Sequence, residues 1–120
     1  MSAKTTFGEF VAKKRYDRGI TVRAMADIID LSPGYYGDIE KNRRNPPDRE
    51  TLDKIIEALQ LNENDQIIFF DLAGKARAEV SPDLPDYIME NEVVRVALRI
   101  AKEKASHDDW RRFIDDLERK

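Results

Sequence analysis

The sequence predicts an all-α protein in which five short helices are followed by a C-terminal helical hairpin. Apolar residues recur at helical spacing, stretches that alternate apolar and polar residues are short, and glycine or proline separates the periodic segments. The length of 120 residues suits one domain, or a small domain with an appendage. Because two prolines in VSPDLP mark a connector, we expect residues 1–80 to form the five-helix domain and residues 81–120 to form the helical extension.

The first three helices are predicted at residues 6–18, 21–29 and 33–41. Gly19 ends the first of them, since glycine commonly follows the last helical residue. Thr21 and Ser32 are suited to cap the second and third, and Pro33 suits the first helical position of the third.

The remaining helices are predicted at residues 49–59, 62–78 and 86–104, and from residue 106 onward. Asn62 is a suitable cap for the second of these. Asn91 marks a point at which the helix over residues 86–104 can break. Ser106 and Asp109 have the spacing of a capping box, with aspartate in place of the usual glutamate.

The composition argues against several classes of function. The chain has no cysteine and a single histidine, His107, so it has no thiolate metal site and no cysteine nucleophile. Neither a serine in an activating motif nor a phosphate-cradling glycine loop is present. We therefore expect no enzyme, no metal and no cofactor. No apolar run approaches the roughly 20 residues of a membrane span, and the N-terminus lacks the apolar core of a secretory signal, so we expect a cytoplasmic protein.

The charge is distributed unevenly along the chain, although the total is only −3. Residues 1–61 carry 11 basic and 10 acidic side chains, whereas residues 62–120 carry 10 basic and 14 acidic ones. The acidic excess therefore lies in the C-terminal half, which leaves the N-terminal half open to an anionic partner.

The segment over residues 20–46 is the most informative part of the chain. Two short helices joined by a tight turn can place the second helix in the major groove of DNA. Ala26 allows a close crossing of the two helices, and Leu31, Tyr36 and Ile39 are placed to fill the space between them. Spacing alone does not separate this arrangement from a helical hairpin that binds no ligand.

A set of residues at fixed offsets favours the first alternative. These residues are Ile20, Thr21, Met25, Ala26, Leu31, Ser32, Tyr35, Ile39, Glu40, Arg44 and Pro46. In this pattern, residues 7–61 resemble the helix-turn-helix domain of the Cro and phage-repressor (Xre-type) family. The resemblance implies a repressor-like helix-turn-helix domain that inserts residues 33–41 into the major groove of double-stranded DNA, and hence a transcriptional regulator, in the main reading a homodimeric repressor.

The candidate DNA-binding residues lie on the predicted recognition helix and beside it. They are Thr21, Ser32, Pro33, Gly34, Tyr35, Asp38, Lys41, Arg43, Arg44 and Asn45. We expect Arg43 and Arg44 to neutralise phosphates and Tyr35 to reach a base edge or a phosphate. Asp38 can accept a hydrogen bond from cytosine N4, but it repels phosphate.

The chain departs from the family pattern at several positions. Asp30 and Asn42 stand where the family has glycine, and both residue types tolerate positive φ. Pro33 and Gly34 stand at positions that often hold base-reading side chains, and neither has a side chain that can form hydrogen bonds. The predicted architecture is therefore familiar, while the reading face is unusual. Gly34 and Asp38 motivate a further alternative, in which the domain is a protein adaptor that no longer binds DNA.

Arg15 stands where the family has an arginine in its first helix, and it forms a structural pair with Glu40 in this interpretation. The resemblance implies that they meet between the first helix and the end of the recognition helix. A bidentate arginine–carboxylate bridge would fix the angle at which the recognition helix is presented.

The C-terminal extension carries an apolar stripe on two helices. Its residues are Val94, Leu98, Ala101, Trp110, Phe113, Ile114 and Leu117. Two helices alone bury little surface, so packing against a second copy is an economical arrangement, and we expect a homodimer. The alternative is an antitoxin-type regulator whose C-terminal half binds a protein partner.

Overall fold

The computed structural model describes residues 5–120, and over that range it is helical with no strand. The helices are α1 (Phe7–Asp17), α2 (Val22–Ile28), α3 (Pro33–Glu40), α4 (Arg49–Leu59), α5 (Glu63–Arg77), α6 (Pro85–Glu90), α7 (Glu92–Lys104) and α8 (His107–Glu118). The predicted all-α class is confirmed. The chain divides into two compact units, Met1–Asp83 and Leu84–Lys120. None of the described helices combines the length and the apolar character that crossing a membrane requires.

Each helix of the first unit begins at a side-chain cap. Thr6 and Glu9 form a reciprocal capping box at α1. The side chains of Thr21, Ser32, Asp48 and Asn62 each accept a hydrogen bond from the third amide of the helix that follows. These bonds satisfy amides that would otherwise lack a partner, which explains why the helices begin where they do.

Each helix of the first unit is followed, within two residues of its end, by a residue with positive φ. These residues are Gly19, Asp30, Asn42, Gln60 and Ala78, with φ between 51° and 70°. In every case the next amide donates to the carbonyl five residues earlier, and the amide of the positive-φ residue donates to the carbonyl three residues earlier. This pair of bonds is the Schellman motif, which satisfies the last carbonyls of a helix and reverses the chain.

All five helices of the first unit contribute residues to its core. Phe69 is fully buried, with its ring 5.1 Å from that of Phe7 and 5.5 Å from that of Phe70. The other buried apolar residues are Val11, Met25, Ala26, Ile29, Tyr36, Ile39, Leu52, Ile55, Leu59, Leu61 and Ala73. α1 packs against α3 and α5, and α2 packs against α3 and α4. Burial of this set supplies the main driving force for folding.

The second unit has three helices, where a two-helix hairpin was predicted. The helix predicted over residues 86–104 is interrupted at Asn91, whose φ of −126° and ψ of 98° are extended. α6 packs against α7. The predicted capping box at Ser106 and Asp109 is confirmed at the start of α8. None of the residues in α6, α7 and α8 is buried.

Candidate nucleic-acid interface

The turn between α2 and α3 sets the crossing of these two helices. Asp30 takes the left-handed conformation at φ 61°, and the Leu31 amide donates to the Ala26 carbonyl at 2.9 Å. The Asp30 carboxylate also accepts from Lys54 Nζ at 2.9 Å, which ties the turn to α4. Buried Ala26 and Tyr36 hold the inner faces of α2 and α3 in the core. The turn therefore presents the opposite face of α3 outward in a fixed orientation.

The first turn of α3 presents no hydrogen-bonding side chain on the outward face at positions 33 and 34. Pro33 and Gly34 are exposed. A Cβ added at Gly34 or at Gly37 would meet nothing within 4 Å, so neither glycine is required by packing. The hydroxyls of Ser32 and Thr21 accept from the Tyr35 and Ala24 amides, so both residues serve as helix caps at the edge of this face.

Polar and cationic side chains lie at the C-terminal end of α3 and just after it. Lys41, Arg43, Arg44 and Asn45 are all exposed. The Arg44 guanidinium lies over the Tyr35 ring, 4.4 Å from its centroid, in a cation–π arrangement. Tyr35, Arg43, Arg44 and Asn45 border an open groove of about 810 Å³, whereas Lys41 lies outside it. The structure thus brings the predicted cations to one end of the outward face, where they are accessible to the phosphates of a nucleic acid.

Arg77 also lines this groove, although it was not among the predicted site residues. It comes from α5 and donates from Nε and Nη2 to the Pro46 carbonyl, at 3.2 and 2.7 Å. Arg77 therefore holds the loop after α3 in place. No local pattern indicates this role, because the contact joins residues 31 positions apart.

The predicted Arg15–Glu40 pair is present and bidentate. Arg15 Nε lies 2.7 Å from Glu40 Oε2, and Nη2 lies 3.1 Å from Oε1. Arg15 Nη1 also donates to the Ile20 carbonyl at 2.8 Å. Only 15% and 9% of the two side chains are exposed. One guanidinium thereby joins α1, the entry to α2 and the last residue of α3.

The Tyr36 hydroxyl is buried beside this pair. Burial, together with the neighbouring Glu40 carboxylate, raises the pKa of Tyr36 well above its ordinary range. The phenol therefore remains neutral, as its place in the core requires.

Asn42 joins the end of α3 to the start of α1. Its backbone has φ 61°, the left-handed conformation that glycine adopts most readily. Its side-chain oxygen accepts from the Gly8 amide at 3.2 Å, and its side-chain nitrogen donates to Thr6 Oγ1 at 2.9 Å. The side chain thus contributes contacts that glycine would lack.

The predicted dimerisation residues lie on α7 and α8 of the second unit. Val94 and Ala101 are partly exposed, and Leu98 is 38% exposed. On α8, the exposed fractions run from 40% at Trp110 to 52% at Phe113. Both helices therefore present apolar side chains to their surroundings.

Comparisons with known proteins match the first unit to a family. A family model described as a helix-turn-helix domain matches residues 8–70, slightly more than half of the chain. Among solved structures, the chain is similar to the clp gene regulator ClgR from Corynebacterium glutamicum, with 21% identity and a TM-score of 0.48 over 83% of this chain and 92% of that chain. No curated protein matches the sequence.

Proposed function

We propose that this chain, which belongs to the helix-turn-helix domain family, is a transcriptional regulator that binds duplex DNA by inserting α3 into the major groove. The observation that carries the proposal is the family match over residues 8–70, which spans α2, the turn and α3. The family is one of binding domains, so the chain is not an enzyme, in agreement with the expectation from composition.

The geometry of the first unit supports this role. The inner face of α3 is held in the fold by Tyr36, Ile39 and the Arg15–Glu40 bridge. Its outward face contributes no side chain to the core. Arg44 and Lys41 stand exposed at the end of that face. Cations at the margin of a recognition helix neutralise phosphates and fix the register of the protein on DNA.

The salt dependence of binding tests this function. Titration of the full chain with a mixed-sequence duplex should show log affinity falling linearly with log salt concentration. Arg44→Ala should reduce the magnitude of that slope by about 0.9, because one phosphate contact is lost. Lys13→Ala is the matched control, since Lys13 is an exposed cation on α1 that pairs with Asp17. Absence of salt-sensitive binding by the unmodified chain would reject the proposed function.

We further propose that the chain acts as a homodimer, as a repressor on two half-sites. None of the residues in α6, α7 and α8 is buried, although α7 and α8 each carry an apolar stripe. Packing of the stripes on a symmetry mate would remove Trp110, Phe113 and Leu117 from water. Half-sites bound by such a dimer should lie about 10 base pairs apart, or a multiple of that.

A further inference from the structure

The turn that ends α3 differs from the other Schellman turns in the side chains that it brings together. In this motif the residue after the positive-φ residue lies beside the residue five positions before it, and an apolar contact between the two is frequent. At the ends of α2 and α4 they are the apolar pairs Ala26–Leu31 and Ile56–Leu61, whereas at the ends of α1 and α5 they are Arg15–Ile20 and Gly74–Glu79. At the end of α3 they are Asp38 and Arg43, joined by a 2.8 Å backbone hydrogen bond, with Nη1 and Oδ1 3.6 Å apart.

Folding stability does not account for the charged pair at this turn. The side chains of Arg43 and Asp38 are 68% and 40% exposed, and exposed ion pairs contribute little to folding. Asp38 also belongs to the outward face of α3, on which Pro33, Gly34 and Gly37 supply no hydrogen-bonding side chain. Asp38 therefore supplies a hydrogen-bond acceptor, and Arg43 supplies donors, on a face that otherwise has few such side chains.

We propose that Asp38 and Arg43 act together to read one G·C base pair, an inference that rests on the proposed DNA-binding function. The major-groove edge of G·C presents the acceptors N7 and O6 of guanine beside the N4 donor of cytosine. Arg43 donates to the guanine acceptors, while the carboxylate of Asp38 orients Arg43 and accepts from cytosine N4. An A·T pair fits poorly, because adenine N6 presents a donor and thymine O4 an acceptor.

The charge of the pair supports base reading over phosphate contact. Asp38 offsets the charge of Arg43, which weakens attraction to phosphate without removing the donors of the guanidinium. For Arg43, base reading therefore replaces the phosphate contact expected from its place after the recognition helix. Arg44, whose guanidinium is stacked on Tyr35, keeps the phosphate contact.

Selection of duplexes from a random-sequence library by the full chain tests the inference. The unmodified protein should enrich a motif in which one position of each half-site favours G·C over A·T by roughly 5- to 150-fold. Arg43→Ala and Asp38→Ala should each lose that preference and keep the rest of the motif, since alanine offers neither a donor to guanine nor an acceptor to cytosine N4. Asp17→Ala is the matched control, because Asp17 is an exposed aspartate that pairs with Lys13 at 3.1 Å.

The possible failures have different meanings. If Asp38→Ala binds all duplexes more tightly with an unchanged motif, Asp38 merely repels phosphate and the inference is wrong. If Arg43→Ala retains the G·C preference, or if the unmodified chain binds DNA without such a preference, the inference is also wrong while the proposed function stands. If the unmodified chain binds no duplex, both are wrong. Thermal melts of each variant verify folding.

Discussion

At the scale of single residues, the first unit depends on side chains that form bonds across helices. Arg15 donates to both oxygens of Glu40 and to the Ile20 carbonyl. Asn42 contacts both Thr6 and Gly8. These contacts hold the end of α3 against α1, so they determine the orientation of the outward face.

Loss of Arg15 should therefore cost stability although Arg15 lies away from that face. Arg15→Ala leaves the Glu40 carboxylate largely buried without its partner, and we expect the free energy of unfolding to fall by about 3–5 kcal/mol. Lys13→Ala, at an exposed ion pair on the same helix, should change it by less than about 1 kcal/mol. Urea unfolding followed by circular dichroism measures both. A loss below about 1 kcal/mol for Arg15→Ala would show that the pair behaves as a surface ion pair.

Some residue roles could be predicted from the sequence and others could not. The Arg15–Glu40 bridge was predictable because both residues match a pattern with fixed offsets. The side-chain contacts of Asn42 were not, since they depend on how closely α1 approaches the end of α3. The sequence indicated only that Asn42 tolerates positive φ.

At the scale of helices, the two ends of each element are determined locally, which explains why the boundaries in the first unit follow the sequence closely. Thr21, Ser32 and Asn62 were recognisable as caps because a capping side chain bonds an amide only three residues away. The division of residues 86–104 into α6 and α7 was indicated only as a possible break at Asn91. Packing between helices was less predictable, as the contact of Arg77 with Pro46 illustrates.

The glycines in α1 and α3 give opposite predictions for the same substitution. A Cβ on Gly8 would lie 2.3 Å from the Glu40 carbonyl oxygen and 2.6 Å from that of Ile39. Gly8→Ala must therefore separate α1 from α3, and we expect a loss of about 1–3 kcal/mol in unfolding free energy. Gly37→Ala meets open space inside a helix and should stabilise by about 0.5–1 kcal/mol.

Thermal and urea unfolding of the two alanine variants provide the measurement. Equal effects in both variants would mean that the close approach at Gly8 does not limit the packing of α1 against α3. Destabilisation by Gly37→Ala would mean that a side chain at this position meets an obstacle within the fold.

At the scale of the whole molecule, the two units differ in how they bury apolar surface. The first unit has a core of its own, and the residues that follow α5 are bonded to it. Ser81 donates to Asp71, and Arg49 donates to the Pro82 carbonyl at 2.7 Å. A truncation that ends at Asp83 keeps these bonds and should leave the first unit folded.

We predict that the full chain is a dimer and that the chain truncated after Asp83 is a monomer that binds one half-site weakly. Sedimentation of both forms at micromolar concentration measures the assembly. Trp110 is the single tryptophan and lies on α8, so its emission should shift to the blue as the full chain associates. A full-length monomer would contradict the prediction and favour a heterologous protein partner for α7 and α8. A truncated chain that still dimerises equally well would place the interface elsewhere.

The separation of tasks along α3 has a consequence for redesign. Tyr36, Ile39 and Glu40 hold the helix in the fold, whereas Pro33, Gly34, Gly37 and Asp38 lie on the face that the core does not use. The supporting residues and the outward residues therefore form two interleaved sets on one eight-residue helix. Transplanting the outward set, together with the counterpart of Arg43, from another regulator of this fold should exchange the recognised sequence while the scaffold is retained. The outward face of α3 can thus be redesigned for a new DNA sequence without redesign of the core.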